Sequence, residues 1–171
     1  MEKLTLEEFR NLFRQHKDAF HLEIKDAYGV EQEDEPFRRF LAGEPQDYSY
    51  RAGYLGLIRE VTDAGATVRR VRIVTEPLND YARFLAHITP DNVAAGEAVR
   101  YVPRHRVRFD LPAEDCWLFD RELLVLVVFH ETGRMDGFYV ADDPELVRVY
   151  RSVTQKVWDI AVPFAEYVNS Q

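Results

Sequence analysis

The sequence has little that would suit an oxidising compartment or a membrane. Its single cysteine, Cys116, cannot form a disulfide within the chain, which favours a reducing environment. Its longest apolar run, residues 123–129, is far shorter than the roughly 20 residues that a membrane-spanning helix needs. The first residues, MEKLTLEEF, are acidic and amphipathic and lack the apolar core of a signal peptide. We therefore predict a cytoplasmic protein that does not associate with membranes.

Familiar catalytic and cofactor motifs are absent as well. The histidines form no His-x-His or His-Glu-x-x-His pattern, the serines form no Gly-x-Ser-x-Gly turn, and the glycines form no phosphate-binding loop. Cys116 directly precedes Trp117 and has no activating neighbour in the sequence, which argues against a cysteine nucleophile. The sequence therefore predicts no cofactor and no metal, and it favours a protein without catalytic activity.

The composition is typical of a globular protein. Hydrophobic residues make up 46% of the 171 residues and charged residues 30%, and we find no repeats or linkers. These values predict a single domain over residues 1–171. The net charge is -8, yet residues 67–110 carry eight arginines against five acidic residues. An acidic protein binds nucleic acid weakly, whereas a local excess of arginine can bind a smaller anion.

The clearest secondary-structure pattern lies in residues 117–161. Short turns at Asp120-Arg121 and Thr132-Gly133 separate three strand-like segments. Asp143 is then a helix N-cap, followed by Pro144 in the first turn of a long amphipathic helix. The order predicts a β-hairpin, a third strand and a capped helix that packs on the sheet.

The earlier part of the chain predicts alternating helices and strands. A capping box of Thr5 and Glu8 begins the first helix, and residues 20–24 alternate as in a half-buried strand. A helix over residues 48–63 followed by a strand over residues 68–75 predicts a βαβ element beside the first strand. We assign the chain to the α+β or α/β class, with a mixed sheet flanked by helices.

Arg70 and Arg72 are the first candidate ligand-binding residues. They share one face of the strand over residues 68–75, where a half-buried arginine needs a carboxylate or a bound anion. Glu23 and Glu76 are available as partners, in which case the arginines form structural ion pairs across the sheet. The other interpretation is that these arginines contact a ligand.

A polar cluster follows the break at Glu76-Pro77. Glu76, Asp80, Tyr81 and Arg83 come just past the end of a predicted central strand, where α/β sheets favour binding sites. We take these four residues as further candidates for ligand binding, beside the alternative of an ordinary solvated surface.

A strip of arginines follows in residues 99–109, which we predict to be extended. Its even-numbered arginines would share one face, and they could bind a phosphate, a nucleotide or an acidic peptide. The alternative is that they pair with the acidic C-terminal third of the chain or are simply solvated. The candidates in this strip are Arg100, Arg104, Arg106 and Arg108.

His130 is the alternative catalytic residue. It follows the apolar run and precedes Glu131 and Asp136, and a histidine beside carboxylates can act as a general base. A metal site needs more converging ligands than this segment supplies.

The segments FHLEIKDAY, VRRVRIVTEPLNDYARF, GEAVRYVPR and CWLFD together resemble an actinobacterial family of the domain of unknown function 6879 type. The resemblance covers nearly the whole chain. Members of that family are often encoded beside helix-turn-helix regulators and small companion proteins. The resemblance implies a regulatory or signalling component, with such a regulator or companion as a possible protein partner.

The order of elements is also similar to one half of the phospholipase-D-like fold. The active site of that fold is His-x-Lys-x-x-x-x-Asp, for which His130 is the one candidate here. Thr132 stands where the lysine belongs and Gly137 where the aspartate belongs, with Asp136 one position short. The resemblance therefore implies a binding or dimerisation module without that chemistry and, because such halves commonly pair, a homodimer.

The leading functional hypothesis is a non-enzymatic regulatory module that binds a small anionic ligand or a protein partner through these arginines and their neighbours. The rival is a phosphoesterase or nuclease-like hydrolase that uses His130. Direct binding of nucleic acid is the least favoured interpretation, because the protein as a whole is acidic.

Overall fold

The computed structural model describes residues 1–171 and contains six α-helices, eight β-strands and three short 3-10 helices. The strands are β1 (Glu2–Leu4), β2 (Asp18–Glu23), β3 (Thr67–Val74), β4 (Ala98–Pro103), β5 (Asp115–Phe119), β6 (Leu123–Phe129), β7 (Met135–Ala141) and β8 (Val162–Pro163). The helices are α1 (Leu6–Gln15), α2 (Asp34–Ala42), α3 (Ala52–Asp63), α4 (Asp80–Ala95), α5 (Pro144–Ile160) and α6 (Phe164–Asn169).

All strands join one mixed sheet in the order β1-β7-β6-β5-β2-β3-β4-β8. β2, β3 and β4 run parallel to one another, connected by helical crossovers, whereas β5, β6 and β7 form an antiparallel meander. Antiparallel β1 and β8 cover part of the two outer strands. The predicted mixed sheet, its βαβ element and its C-terminal hairpin are thus confirmed.

Helices cover both faces of the sheet. On one face α5 packs its apolar stripe, including Tyr150 and Val157, against Leu22, Val71 and Leu118. On the opposite face, called here the cavity face, α1 and α3 pack against the aromatic residues of β5 and β6, and α4 packs beside them. None of the helices combines the length and the apolar composition needed to cross a bilayer.

The local signals at the ends of elements are confirmed. The backbone N–H of Glu8 donates to Thr5 Oγ1 at 3.2 Å, and the backbone N–H of Thr5 donates to Glu8 Oε2 at 2.8 Å. Asp143 caps α5 by accepting from the backbone of Glu145 at 2.9 Å. Asp120 and Arg121 both have positive φ, as the two-residue turn between β5 and β6 requires.

Two predictions about single segments were wrong. β2 is buried on both faces rather than half-buried, because it lies in the middle of the sheet between β5 and β3 with helices on both sides. The arginine strip is extended only as far as Pro103, since residues 104–106 form a 3-10 helix. The four arginines therefore do not form one row.

Gly96, which ends α4, is expected to tolerate alanine poorly. Its φ is +118°, and a Cβ atom there would lie 2.4 Å from Thr62 Oγ1. Gly65 offers a matched control, because its φ is +98° but a Cβ would meet nothing within 4 Å. We expect Gly65→Ala to cost about 1 kcal/mol of stability and Gly96→Ala about 2 kcal/mol, measured by urea unfolding. Equal losses would show that the contact with Thr62 relaxes freely.

Candidate ligand-binding cavity

A cavity of about 880 Å³ lies on the cavity face of the sheet. Strands β2, β3, β5 and β6 form its floor, and α1, α3, α4 and the segment before α2 form its walls. Its size lies within the range of small-molecule pockets, roughly 300 to 1,000 Å³. Its lining combines charged side chains with aromatic and aliphatic ones.

Arg70 is the central residue of the charged part of the lining, because it contacts both Glu23 and Glu97. Its Nε and Nη2 atoms donate to the two carboxylate oxygens of Glu97 at 2.9 and 3.1 Å, and its Nη1 atom donates to Glu23. Nη2 also contacts the Tyr54 hydroxyl at 3.0 Å. Arg70 is thus held by two carboxylates that are themselves buried.

Arg72 extends the same arrangement by one step along β3. Its Nε atom donates to Glu23, and its Nη1 atom donates to Thr89 Oγ1 at 2.7 Å and to the Tyr101 hydroxyl at 3.1 Å. Burial alone would raise the pKa of Glu23, but Arg72 and Arg70 hold that pKa well below its ordinary value. The buried groups of the floor therefore remain charged and neutralise one another.

His21 is a third neighbour of Glu23. Its Nδ1 atom lies 2.8 Å from the carbonyl oxygen of Cys116, and its Nε2 atom lies 3.1 Å from Glu23 Oε1. The ring also stacks on Trp117 at 4.2 Å, which fixes its orientation.

Arg51 forms part of the wall between α3 and α4. It donates to the carbonyl oxygen of Ile88 at 3.0 Å, to Asp91 at 3.1 Å and to Asn92. Burial, together with the nearby guanidinium groups of Arg70 and Arg72, lowers its pKa. Its one carboxylate partner, Asp91, is half exposed, so Arg51 is less completely neutralised than Arg70.

Part of the cavity lining is apolar and aromatic. Phe9 stacks on Phe138 with ring centroids 3.7 Å apart, and Phe9 also packs edge-on against Trp117. Val127 and Phe129 of β6 continue this surface. These side chains form a preformed apolar surface, called here the aromatic wall, that adjoins the charged groups at Trp117.

Four charged side chains that line the cavity, Arg10, Glu31, Glu33 and Asp115, have no ionic partner. The Arg10 side chain makes no ion pair and no hydrogen bond, and its guanidinium lies next to Gly53 on α3. Glu33 makes one hydrogen bond, accepted from the Tyr81 hydroxyl. Asp115 accepts from the backbone N–H of Ile24 at 3.0 Å, and burial raises the pKa of Asp115 to about 6.

Residues 28–34, here called the rim segment, form one wall and are fastened to the hairpin between β6 and β7. The Gly29 N–H donates to the carbonyl oxygen of Gly133 at 2.9 Å, and the Met135 N–H donates to the Gly29 carbonyl oxygen at 3.0 Å. Arg134 pairs with Asp34 at 2.9 Å. A Cβ atom on Gly29 would lie 2.7 Å from the Gly133 oxygen, so this approach needs glycine.

The family model described as "Domain of unknown function (DUF6879)" matches residues 7–169. The chain belongs to this family. The match includes the charged floor, the aromatic wall and the rim segment, so the whole cavity lies within the DUF6879 domain apart from Leu6 at its margin. No curated protein matches the chain.

The structure brings only some of the predicted site residues of this DUF6879 chain to the cavity. Arg70, Arg72 and Tyr81 line it. Glu23 is the carboxylate partner of the two arginines, as predicted, but Glu76 is not. The second partner is Glu97, which the sequence did not indicate.

The remaining residues of the polar cluster lie away from the cavity. Glu76 accepts from the Tyr167 hydroxyl at 3.2 Å and faces His105 at 3.9 Å. Asp80 and Arg83 form an exposed ion pair on the surface of α4.

The arginine strip is dispersed. Arg100 lies on the α5 face, with its guanidinium 3.8 Å from the centre of the Trp158 ring. Arg104 joins the ends of strands, with contacts to Ile24, Asp26 and Thr75. Arg106 and Arg108 are exposed, and their side chains make no ion pair or hydrogen bond. The dispersal follows from the 3-10 helix at residues 104–106.

His130 lies at the surface, outside the cavity. Its Nε2 atom is 3.2 Å from Asp136 Oδ1, and the Lys3 ammonium is also 3.2 Å from the same oxygen. No group of three or more histidine, cysteine, aspartate or glutamate side chains is placed to hold a metal ion.

Sequence reasoning missed Arg10, Arg51, Glu33 and Asp115 as cavity residues. Arg10, Arg51 and Glu33 lie on or beside helices, where a single charged residue resembles any solvated one. Asp115 had a weak signal in the sequence. This carboxylate begins β5, and the four residues after it, Cys-Trp-Leu-Phe, are all buried, which indicates that the carboxylate is buried as well.

Proposed function

We propose that the protein is a non-enzymatic binding module of a regulatory or signalling system, and that it holds a small anionic molecule in the cavity. The observation that carries this proposal is the unpaired Arg10 guanidinium in a cavity whose other arginines all have partners. An unpaired cation beside the apolar surface of a cavity is a site that an anionic group would neutralise.

The floor supports this proposal because it is already ordered without a ligand. Arg70, Arg72, Glu23 and Glu97 satisfy one another, so the polar surface is rigid before binding. A preorganised site loses less conformational entropy on binding, which favours affinity for a small molecule.

The position of Arg10 indicates where the anionic group would bind. Its Nη2 atom lies 3.2 Å from where a Cβ of Gly53 would be, and Arg51 and Tyr54 flank that glycine in the chain. Arg10 and the incompletely neutralised Arg51 would thus contact the anion together. The apolar body of the ligand would lie against Trp117 and Phe138.

We expect Arg10→Gln to weaken ligand binding by roughly 10- to 100-fold, as expected for losing a charge-assisted hydrogen bond of about 1.5 to 3 kcal/mol. The measurement is a thermal-shift screen with nucleotides, phosphorylated metabolites and carboxylic acids. Saturating ligand raises stability by roughly 2.7 kcal/mol at a hundredfold excess over Kd.

Arg106→Gln is the matched control, because Arg106 is an equally unpaired arginine outside the cavity. It should keep every shift that the wild type shows. A shift that Arg106→Gln loses and Arg10→Gln keeps would place the anion at the arginine strip instead. No shift with any compound would direct attention to protein partners.

The resemblance also supports a role for protein partners, namely a helix-turn-helix regulator or a small companion protein, and a homodimer. In this proposal, occupancy of the cavity would change affinity for the partner. Light scattering on the purified protein, with and without ligand, tests self-association directly.

The rival function, a degenerate hydrolase of the phospholipase-D-like type, has one supporting observation. His130, Asp136 and Lys3 converge at the surface, which are the residue types of that active site though not its spacing. Turnover of a chromogenic phosphodiester that His130→Ala abolishes would support the rival. The binding module is expected to show no turnover.

A further inference from the structure

Glu33 is a half-buried carboxylate of the cavity lining that, like Asp115 and unlike Glu23 and Glu97, has no cation paired with it. Glu23 contacts Arg70, Arg72 and His21, and Glu97 contacts Arg70. The Oε2 atom of Glu33 accepts from the Tyr81 hydroxyl, whereas its Oε1 atom makes no hydrogen bond and is accessible from the cavity. A carboxylate removed from water without a cation is unfavourable, and burial accordingly raises the pKa of Glu33.

The hydroxyl of Tyr50 is a second unsatisfied group in the same cavity. Its Oη atom is inaccessible to solvent and has no hydrogen-bond partner, although buried hydroxyl groups are nearly always paired. Tyr50 and Glu33 both line the cavity, and burial, followed by the charge of Glu33, raises the pKa of Tyr50 to about 12. The hydroxyl therefore stays protonated, and its oxygen can also accept a hydrogen bond.

Glu33 Oε1 and the Tyr50 hydroxyl each lack a hydrogen-bond partner within the chain. Glu33 Oε1 can only accept a hydrogen bond, and it gains most from a donor that carries a positive charge. No arginine or lysine of the chain reaches it, since Arg134 is paired with the neighbouring Asp34 and Arg51 with Asp91. The chain therefore supplies no cationic donor to this atom, and a ligand in the cavity could replace the water that hydrates it.

We infer that the ligand carries a cationic N–H donor group, in the simplest case an ammonium, that binds Glu33 with the hydroxyl of Tyr50 beside it. This inference rests on the proposed function and adds a second charge to the ligand. With an anionic group at Arg10 and an apolar body against Trp117, the ligand class is a zwitterion of the amino-acid type.

The test uses matched sets of probes. Each set contains an amino acid, its deaminated acid and its decarboxylated amine, as in phenylalanine, 3-phenylpropanoate and phenethylamine, extended over the common amino acids. Affinities are measured by calorimetry on the wild type and on Glu33→Gln, with Glu131→Gln as the control. Glu131 is an exposed, unpaired glutamate outside the cavity.

At least one amino acid should bind the wild type at least tenfold more tightly than its deaminated acid. Glu33→Gln should remove that advantage and leave the affinity for the deaminated acid unchanged, and Glu131→Gln should keep it. Tyr50→Phe, which removes only the unpaired hydroxyl, should reduce the advantage even if Glu33→Gln folds poorly.

The two proposals fail in different ways. If a deaminated acid binds the wild type as tightly as its amino acid, or if Glu33→Gln keeps the advantage, the ammonium site is refuted while the anion site stands. If no acid and no amino acid binds, the anion site is refuted as well.

Discussion

Replacing Glu97 with glutamine is expected to lower the free energy of unfolding by about 3 to 5 kcal/mol, because it removes one partner of a buried ion pair. The Glu97 side chain is 0% exposed and accepts two hydrogen bonds from Arg70. Without its charge, Arg70 and Arg72 share only Glu23, and an uncompensated cation stays in the core. Urea unfolding at neutral pH measures the loss.

The exposed pair between Glu145 and Arg148 provides the control for Glu97→Gln. Its residues lie one turn apart on α5, and Glu145→Gln should leave the unfolding midpoint unchanged within error. If Glu97→Gln behaved like Glu145→Gln, water or rearranged side chains would be compensating Arg70, and the floor could not be rigid as described.

Asp115→Asn is expected to stabilise the protein by about 2 to 3 kcal/mol above pH 7. Asp115 is 1% exposed, and its pKa is raised from 3.8 to about 6, mainly by burial. The folded state therefore holds this proton more tightly than the unfolded state does. The wild type has the full contribution of the neutral acid below about pH 4 and loses it as the pH rises to about 6.

Asparagine cannot ionise, so the variant avoids that loss, while its side-chain oxygen can still accept from the Ile24 N–H. The difference in unfolding free energy between variant and wild type should grow from near zero at pH 4 to its maximum above pH 7. Urea unfolding at several pH values measures this difference. A variant that is less stable than the wild type at pH 8 would show that the ionised Asp115 makes a net favourable interaction.

The strands and helices were largely predictable because their signals are local. The capping box at Thr5, the turn at Asp120-Arg121 and the cap at Asp143 each depend on a few neighbouring residues, and each is found in the structure. The order of strands is not local. The central position of β2, and with it the burial of His21 and Glu23, depends on pairing with β5, about 95 residues away in the chain.

Only those site residues could be predicted whose position follows from the alternation of side chains along a strand. Arg70 and Arg72 had to share a face, and a buried face required a carboxylate such as Glu23. Arg10 and Glu33, by contrast, line the same cavity only because α1 and the rim segment pack over the sheet. The prediction for the arginine strip was wrong for a different reason. Four arginines within nine residues suggest one surface site, but the 3-10 helix at residues 104–106 directs them to different parts of the surface.

The attachment of the rim segment affects how quickly the cavity can exchange its contents. The backbone bonds between Gly29 and the hairpin, and the ion pair between Asp34 and Arg134, must break before this wall can move outward. Association that waits for such local opening is slower than a collision-limited encounter, and dissociation is slowed in the same way. If the cavity holds a ligand as proposed and the ligand enters past this wall, the protein would average over brief fluctuations in ligand concentration and respond to sustained ones.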